Sequence, residues 1–391
     1  MRLAIINLTG GGMSGGYRKY LYNTLPGIAK HSAVKAVLCA TPDSIDIQNW
    51  FDPHINVEFK SCKPFHILKH NFDFQLQREL NFFSPDVIFV PVERSFRFRN
   101  VPIVNMLQNM EPFVRNVDAK PTNEVFKQWV QGFYGRKSLK KANRIIALSR
   151  FVSDFLKIEL KIPEDKISLV YHGIDKQRNN EIEKPLNFPE NWKDQFIFTA
   201  GSIRHARGLE DLLLAFKHIN FQDKNDIRLV IAGESGRADG TSKTPSDAGK
   251  MTGYHKKLLN WIENRNLSSK ISLVGNLNKK EMAWCYQNCK VFVMTSRVES
   301  FGMIGGEAMS HGSICIAADN PCLPEIFGDA ALIYPSKNYS ILAKNIQTVL
   351  SWDDIQRKRM SEKAKKRAKF FSWDICVEKT VEILSKAVNN I

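Results

Sequence analysis

The sequence predicts an α/β protein built from two doubly wound parallel-sheet domains in series. The chain has 391 residues, which exceeds the size at which a single hydrophobic core usually keeps growing. Apolar runs of strand length alternate with amphipathic segments of helix length, as in parallel sheets with crossover helices. Between residues 176 and 195, a polar stretch with Pro185 and Pro189 interrupts this alternation and indicates a linker.

The alternation divides the chain into four segments. We expect a first Rossmann-like domain at 1–175, the linker at 176–195, a second Rossmann-like domain at 196–371, and a final amphipathic helix at 372–391. The strands predicted in the first domain are 3–8, 34–40, 86–91, 103–107, 144–148 and 168–171, with helices at about 17–30, 70–83, 123–141 and 150–160. The strands predicted in the second domain are 196–200, 228–232, 271–274, 291–295 and 314–317. Residues 234–253 are rich in Gly, Ser and Thr and are predicted to form a mobile loop.

Composition narrows the class of protein. Hydrophobic residues make up 43% of the chain and charged residues 25%, and no run approaches the roughly 18 apolar residues of a spanning helix. The opening run MRLAIINLTG is too short for a secretory signal and is interpreted as the first strand. The seven cysteines are scattered without a CxxC pair, which predicts a reduced, cytoplasmic protein with no structural metal.

The net charge of +16 favours anionic partners. Residues 1–175 carry 24 Lys/Arg and 16 Asp/Glu, so that half of the excess lies in each half of the chain. Nucleic acid, an anionic bilayer surface and a diphosphate ligand all fit such a field, and so does a basic surface without a dedicated partner. The basic run at 361–370 is interpreted as a solvated helix face in preference to a membrane patch.

A glycine-rich loop follows the first predicted strand. Gly10, Gly12 and Gly15 fit the GxGxxG pattern that holds a dinucleotide pyrophosphate, but Asp43 lies too late for the acidic residue of that pattern. Two other interpretations remain: a backbone that approaches a phosphate or sugar held by the opposite domain, or a tight strand-to-helix turn.

The second predicted domain opens with a strand that runs into the sequence GSIRHARG. Arg204 and Arg207 lie three residues apart between a strand end and a helix start. Each guanidinium can form paired, charge-assisted hydrogen bonds, so that the segment suits a diphosphate.

The segment ESFGMIGGE follows the predicted strand at 291–295. Glu299 and Glu307 lie eight residues apart and flank a glycine-rich turn that opens a helix. Such a turn offers backbone amides to an anion and carboxylates to hydroxyls, which predicts a site for a sugar and a ribose.

These motifs together resemble glycosyltransferase family 4, a group of retaining enzymes with the GT-B fold. The resemblance rests on the GSIRHARG and ESFGMIGGE segments, on NPCLPEIFGDAALIYP after them, and on ALSRFVSDFL and LVYHGID in the first half. It implies an acceptor-side Rossmann-like domain at 1–175 and a nucleotide-sugar donor domain at 196–371 that face each other across a central cleft. It also implies that the helix at 372–391 packs back on the first domain.

The resemblance also implies roles for individual residues. Arg204 and Arg207 would bind the donor diphosphate, with Arg207 where the family usually has Lys, and Glu299 would hold the donor sugar; these three form the predicted catalytic group. Glu307 would hold the ribose. The remaining donor-binding residues implied are Gly11, Gly12, Gly201, Asn276, Leu277, Phe301, Gly302 and Met303.

One segment departs from the family pattern. Family members commonly carry a His near the reacting sugar carbon, whereas this chain reads MLQNMEPF, with Gln108 and Asn109. We assign these two residues and His172 to the acceptor side of the cleft, with their roles left open.

The implied reaction is a retaining, front-face transfer of a hexose from a UDP- or GDP-linked donor to a saccharide or lipid-linked saccharide, without metal or cofactor. Bacterial surface-polysaccharide or lipopolysaccharide assembly, in the cytoplasm or at the inner face of an anionic membrane, fits the basic surface. Two rivals remain at this stage. The GxGxxG match alone suggests an NAD-dependent oxidoreductase. A nucleic-acid-binding protein is suggested by the interleaved basic and aromatic residues Arg94, Phe96, Arg97, Phe98 and Arg99. We nevertheless expect no nucleic-acid partner.

Overall fold

The computed structural model describes residues 1–10, 13–66, 73–114, 122–175, 182–190, 192, 196–222, 227–233 and 253–389. The predicted loop at 234–253, apart from its last residue, and about half of the predicted linker lie outside these residues.

The first domain has a parallel sheet at its centre. Its strands are β1 (Arg2–Ile6), β2 (Ala36–Pro42), β3 (Glu58–Cys62), β4 (Val87–Val90), β5 (Ile103–Leu107), β6 (Arg144–Ala147) and β7 (Ile167–Leu169). They form a seven-stranded sheet in the order β3-β2-β1-β4-β5-β6-β7, with parallel pairing throughout. The helices are α1 (Gly15–Lys30), α2 (Phe74–Phe83), α3 (Thr122–Lys141) and α4 (Arg150–Asp154). The strand order reverses between β1 and β4, as in doubly wound sheets.

The second domain repeats this plan. Its strands are β8 (Phe196–Ala200), β9 (Arg228–Ala232), β10 (Ile271–Gly275), β11 (Val291–Met294), β12 (Cys315–Ala318) and β13 (Ala331–Tyr334). They form a six-stranded parallel sheet in the order β10-β9-β8-β11-β12-β13. The helices are α5 (Leu209–Gln222), α6 (Gly253–Glu263), α7 (Lys279–Asn288), α8 (Met303–Ser310), α9 (Leu323–Phe327), α10 (Tyr339–Leu350) and α11 (Asp354–Ala368). The predicted fold of two doubly wound α/β domains is therefore confirmed.

Local sequence signals account for most of these elements. The central strands VIFV and VFVM are buried along their whole length, because helices cover both faces of a parallel sheet. Helix α7 begins with a capping box, in which Asn278 and Glu281 satisfy each other's backbone amides. The Ser14 side chain caps α1 by accepting a hydrogen bond from the amide of Tyr17.

The last helix crosses from the second domain to the first. Helix α12 (Trp373–Asn389) packs against α1 and against the first sheet. His31 at the end of α1 lies 3.0 Å from a Glu378 oxygen, and a Cβ on Gly27 would lie 3.0 Å from a methyl of Val377. Gly27 on α1 therefore lets the two helices approach closely.

Three secondary-structure predictions need correction. Strands β3 and β13 were not predicted, since EFKSC is only partly apolar and the four-residue apolar run ALIY also suits a buried helix segment. The helix predicted at 150–160 is α-helical only as α4 and continues as a π-helical turn, Phe155–Glu159. Among the described residues, none of the helices combines the length and the apolar character that a membrane crossing requires.

Candidate active site

The carboxyl ends of β8 and β11 meet at the point where the strand order of the second sheet reverses, which is where ligands bind in open α/β sheets. The loop after β8 begins at Gly201, whose φ is +134°, and ends at Gly208, whose φ is +58°. A Cβ on Gly201 would lie 2.8 Å from the Nε of Arg207. Glycine is therefore needed there both for the backbone conformation and for the space beneath the guanidinium group.

The loops after β8 and β11 are bound to each other. The Thr295 hydroxyl donates to the carbonyl of Arg207 at 2.6 Å, and the amide of Arg297 donates to the carbonyl of Ala206 at 2.8 Å. The Arg207 guanidinium donates to the Ser296 hydroxyl at 3.1 Å and forms an ion pair with Glu299. The two motifs predicted from the sequence are thus brought together in one site.

A buried ion pair beneath these loops holds them in place. Arg297 and Asp211 form two hydrogen bonds, of 2.5 and 2.7 Å, and their side chains are 7% and 4% exposed. Asp211 also accepts from the Tyr334 hydroxyl at 3.1 Å and from the amide of Lys337 at 2.8 Å. Sequence reasoning missed this pair, although the acidic start of α5 and the arginine next to the ESFGMIGGE segment were its visible signals.

Helix α8 begins inside the second motif. Gly302 is its N-terminal cap residue, with φ at +90°, so that the first backbone amides of the helix are not capped by a side chain. A Cβ on Gly306 would overlap Ile174 at the end of the first domain. Gly306 therefore lets α8 lie directly against the other domain.

Three contacts in this site link the two domains. Arg204 forms an ion pair with Glu111, which follows β5. Glu307 on α8 forms an ion pair with Lys19 on α1. The Ser300 hydroxyl donates to the carbonyl of Gln108 at 2.6 Å. Residues of both domains therefore meet at the carboxyl edges of the two sheets, in the manner expected of a cleft site.

Every charged side chain predicted to bind the donor already has a partner within the protein. Arg204 pairs with Glu111, Arg207 with Glu299, and Glu307 with Lys19. The Nε atoms of Arg204 and Arg207 are nevertheless buried without a hydrogen-bond partner. Each guanidinium therefore has one buried N–H group from which no group among the described residues accepts.

Burial and charge act on the guanidinium of Arg204 in opposite directions. Burial lowers the pKa of Arg204, and the Glu111 carboxylate acts to raise it. The group stays protonated in either case, because an arginine cannot be deprotonated in a protein at ordinary pH. Removal of Glu111 without a replacement anion would leave a desolvated cation, so that the site favours an anion at this position.

Glu111 is the main site residue that sequence reasoning missed. Its side chain is 8% exposed, and its second oxygen accepts from the Gln128 amide on α3 at 2.9 Å. Its signal in the sequence was the acidic residue of MLQNMEPF, which follows the predicted Gln108 and Asn109. Glu93, which follows β4, lies near the same loop, and burial raises the pKa of its carboxyl group.

The predicted acceptor-side residues occupy different places. Gln108 faces Ser300 through its carbonyl, and the Asn109 side chain accepts from the amide of Glu111 at 3.0 Å. Both therefore shape the turn that carries Glu111. His172 is 3% exposed and packs among the rings of Tyr20 and Trp373. Burial lowers the pKa of His172 to about 3, so its imidazole is neutral and enclosed rather than open to the cleft.

The remaining predicted donor residues are partly described. Gly11 and Gly12 lie outside the described residues. Phe301 is 1% exposed and packs against His172, so any contact at this position would come from its backbone. The Met303 side chain on α8 reaches α1 of the first domain, since a Cβ on Gly16 would lie 3.6 Å from the Met303 sulfur atom. Asn276 and Leu277 follow β10, and Leu277 packs on the edge of the core.

The segment that suggested nucleic-acid binding has structural contacts of its own. Phe98 is 3% exposed, and the Arg94 guanidinium donates to the carbonyl of Leu8 at 2.6 Å while it stacks 4.6 Å from the centre of the Phe65 ring. Phe96 also packs against the hydrophobic core, so that at least three of the five residues have structural contacts.

Comparison with known proteins shows the family to which this chain belongs. Family models match the two domains separately: the one described as Glycosyltransferase Family 4 matches residues 14–178, and the one described as Glycosyl transferases group 1 matches residues 180–367. Together the matches take in nearly all of the chain, which belongs to the GT-B glycosyltransferases of the family 4 type.

Individual relatives are distant. An uncharacterized glycosyltransferase of Methanocaldococcus jannaschii is 26% identical over 65% of this chain and 62% of its own length. The O-antigen chain mannosyltransferase B of Escherichia coli is 22% identical over 63% of each chain. The chain thus spans less than two thirds of the length of the curated relatives it matches. The crystal structure of Anabaena HepE in complex with UDP-glucose has a TM-score of 0.71 at 16% identity, over 99% of this chain and 100% of that one, which shows the shared fold.

Proposed function

We propose that this protein transfers a hexose-type sugar from a UDP- or GDP-linked donor to a hydroxyl of a saccharide or lipid-linked saccharide. The observation that carries the proposal is the pair of guanidinium groups, Arg204 and Arg207, held at the carboxyl edge of the second sheet beside Glu299 and the start of α8. Two cations and uncapped amides at one edge suit a diphosphate, and the adjacent carboxylate suits sugar hydroxyls.

Donor binding would proceed by an exchange of partners. The diphosphate would replace Glu111 on Arg204 and Glu299 on Arg207, which releases Glu299 to accept hydrogen bonds from the donor sugar. Glu307 would likewise leave Lys19 and accept from the ribose hydroxyls, while Lys19 remains close enough to attract the phosphates. The two arginines, Glu299 and Glu307 then each bind the donor, whereas Glu111 keeps the hydrogen bond from Gln128.

Transfer would follow a front-face course with retention at the sugar carbon. The bond between that carbon and the diphosphate oxygen breaks, the acceptor oxygen bonds to the carbon on the same face, and the acceptor proton passes to the departing diphosphate. Negative charge develops on that leaving group, where Arg204 and Arg207 stabilise it more strongly than in the bound donor. In this proposal the guanidinium groups supply the positive charge that a metal would otherwise provide, and no cofactor takes part.

Several features support a cytoplasmic role in polysaccharide or lipopolysaccharide assembly. All seven cysteines are free thiols, which suits a reducing compartment. One relative is named as an O-antigen mannosyltransferase, and Anabaena HepE was crystallised with UDP-glucose. Both names are compatible with a nucleotide-sugar donor and a saccharide acceptor for this chain.

The first test is a thermal-shift panel of UDP, GDP, ADP, their sugar conjugates and NAD. We expect one nucleoside diphosphate to raise the melting temperature selectively, because binding to the folded state alone stabilises it. Glu307→Ala should abolish that shift, whereas Glu362→Ala, an exposed carboxylate on α11, should leave it unchanged. Stabilisation by NAD alone, or an equal nucleotide shift in Glu307→Ala, would overturn the assignment. Proton NMR of the product anomer then tests retention.

A further inference from the structure

Helix α3 exposes a row of stacked aromatic side chains. Phe126 and Trp129 are each 64% exposed, and Phe133 is 53% exposed. The ring centres of Phe126 and Trp129 lie 6.3 Å apart, and those of Trp129 and Phe133 lie 6.0 Å apart, with near-parallel planes. Tyr134 adds an edge-on contact, 5.5 Å from Phe133. These residues form one continuous apolar ridge, which we call the aromatic ridge.

The ridge is not needed to hold α3 on the protein. The side of the helix that faces the protein carries Gly132 and Gly135, where a Cβ would overlap Pro112 and the Phe113 ring. This close approach fixes α3 against the loop after β5, with Leu139 buried beside it. Large aromatic side chains that remain exposed on the outer side of a well-packed helix indicate a surface for an apolar partner.

Positive charge continues along the outer side of the same helix. Phe126, Phe133 and Lys140 are spaced seven residues apart, which places them along one line after every two turns. Lys137 and Lys141 are exposed beside Lys140. An aromatic stretch followed by lysines matches an anionic bilayer surface, where rings enter the interface and ammonium groups meet lipid phosphates.

The position of the ridge favours a membrane over another protein. Gln128, one residue before Trp129, binds Glu111, and Glu111 binds Arg204 in the candidate active site. The helix that carries the ridge therefore also borders the acceptor side of the cleft. A lipid-linked acceptor whose saccharide enters the cleft would keep its lipid in a bilayer next to this helix.

We propose that the aromatic ridge and the three lysines after it dock the protein on an anionic lipid bilayer, and thereby present the cleft to a membrane-held acceptor. The proposal rests on the proposed function for the nature of the acceptor. It assigns the membrane contact to α3 and not to the basic run of α11, which the sequence also offered as a candidate.

The test is sedimentation with vesicles of mixed phosphatidylglycerol and phosphatidylcholine, and with phosphatidylcholine alone. We expect the full chain to bind the anionic vesicles only, and the double variant Trp129→Ser/Phe133→Ser to lose most of that binding. Lys137→Gln/Lys140→Gln/Lys141→Gln should weaken it by about fivefold for each lysine removed. The matched control, Lys358→Gln/Lys366→Gln/Lys369→Gln on and just after α11, removes the same charge from exposed positions and should bind like the unaltered chain.

The outcomes separate this proposal from the proposed function. All variants are first checked for an unchanged melting temperature and an unchanged shift with the stabilising nucleoside diphosphate. Nucleotide binding without vesicle binding overturns the membrane assignment and leaves the proposed function standing. Equal losses in the α3 and α11 lysine variants also overturn it, since general charge would then explain binding. A dimer of the unaltered chain that Trp129→Ser/Phe133→Ser converts to a monomer would assign the ridge to a second copy instead.

Discussion

The ion pair between Arg204 and Glu111 leads to a prediction of opposite sign from that expected for an ordinary binding-site carboxylate. Glu111 occupies the guanidinium that the donor diphosphate is proposed to use, so the two anions compete. We predict that Glu111→Gln binds the nucleoside diphosphate more tightly than the unaltered chain. The substitution keeps the size of the side chain and an oxygen that can accept from Gln128, and it removes only the negative charge.

The size of the effect follows from the geometry of the pair. The Glu111 carboxylate and a donor phosphate about 5 Å apart would repel each other by about 3 kcal/mol at an effective dielectric constant of about 20. Arg204 is 28% exposed, and Glu111 can rotate away from the incoming phosphate, so part of this repulsion is relieved. We therefore expect a gain of about 1–2 kcal/mol, or about tenfold in the dissociation constant.

Titration calorimetry with the nucleoside diphosphate measures this change directly. Glu325→Gln is the matched control, because the Glu325 carboxylate also joins the domains, by accepting from the amide of Arg150 at 2.8 Å and from the Tyr171 hydroxyl at 2.6 Å, without contact to Arg204. Its nucleotide affinity should stay unchanged. Unchanged or weaker binding in Glu111→Gln would refute the exchange of partners, and equal tightening in the control would attribute the effect to looser domain contacts.

Two further predictions concern stability. Arg297→Ala leaves Asp211 buried without its cation and should destabilise the fold by about 3–5 kcal/mol. Scanning calorimetry would detect this loss as a melting temperature about 10 °C lower. A change of only about a degree would show that the fold does not need the ion pair. His172→Phe should reduce the loss of unfolding free energy that the unaltered chain shows as the pH falls. Burial lowers the pKa of His172 from 6.5 to about 3, so the unfolded chain binds a proton that the folded chain excludes, and stability is lost as the pH falls from about 6.5 towards 3. Urea unfolding of both proteins at pH 7 and pH 5 measures the difference, and an equal loss in the phenylalanine variant would contradict this account.

The sequence by itself determined the two-domain α/β architecture. Short, continuous apolar runs indicate the buried strands, and apolar residues at helical spacing indicate the amphipathic helices. Both signals depend only on local residue order. The same holds for the motif residues: Arg204 and Arg207 are close in the chain, and one strand end and one helix start place them at the same edge of the sheet. Of the two strands that were missed, β3 is only partly apolar, whereas β13 is a four-residue apolar run that periodicity alone does not assign to a strand.

Only the tertiary structure decided how the charges of the site are paired. Glu111 lies 93 residues from Arg204, and Lys19 lies 288 residues from Glu307, so no local pattern connects either pair. His172 shows the same limit, since a polar residue in a loop became a buried, neutral ring through contact with Tyr20 and Trp373 from α1 and α12. Helix periodicity and turn residues act over a few positions, whereas ion pairing and burial depend on which distant segments the packing of the two domains brings together.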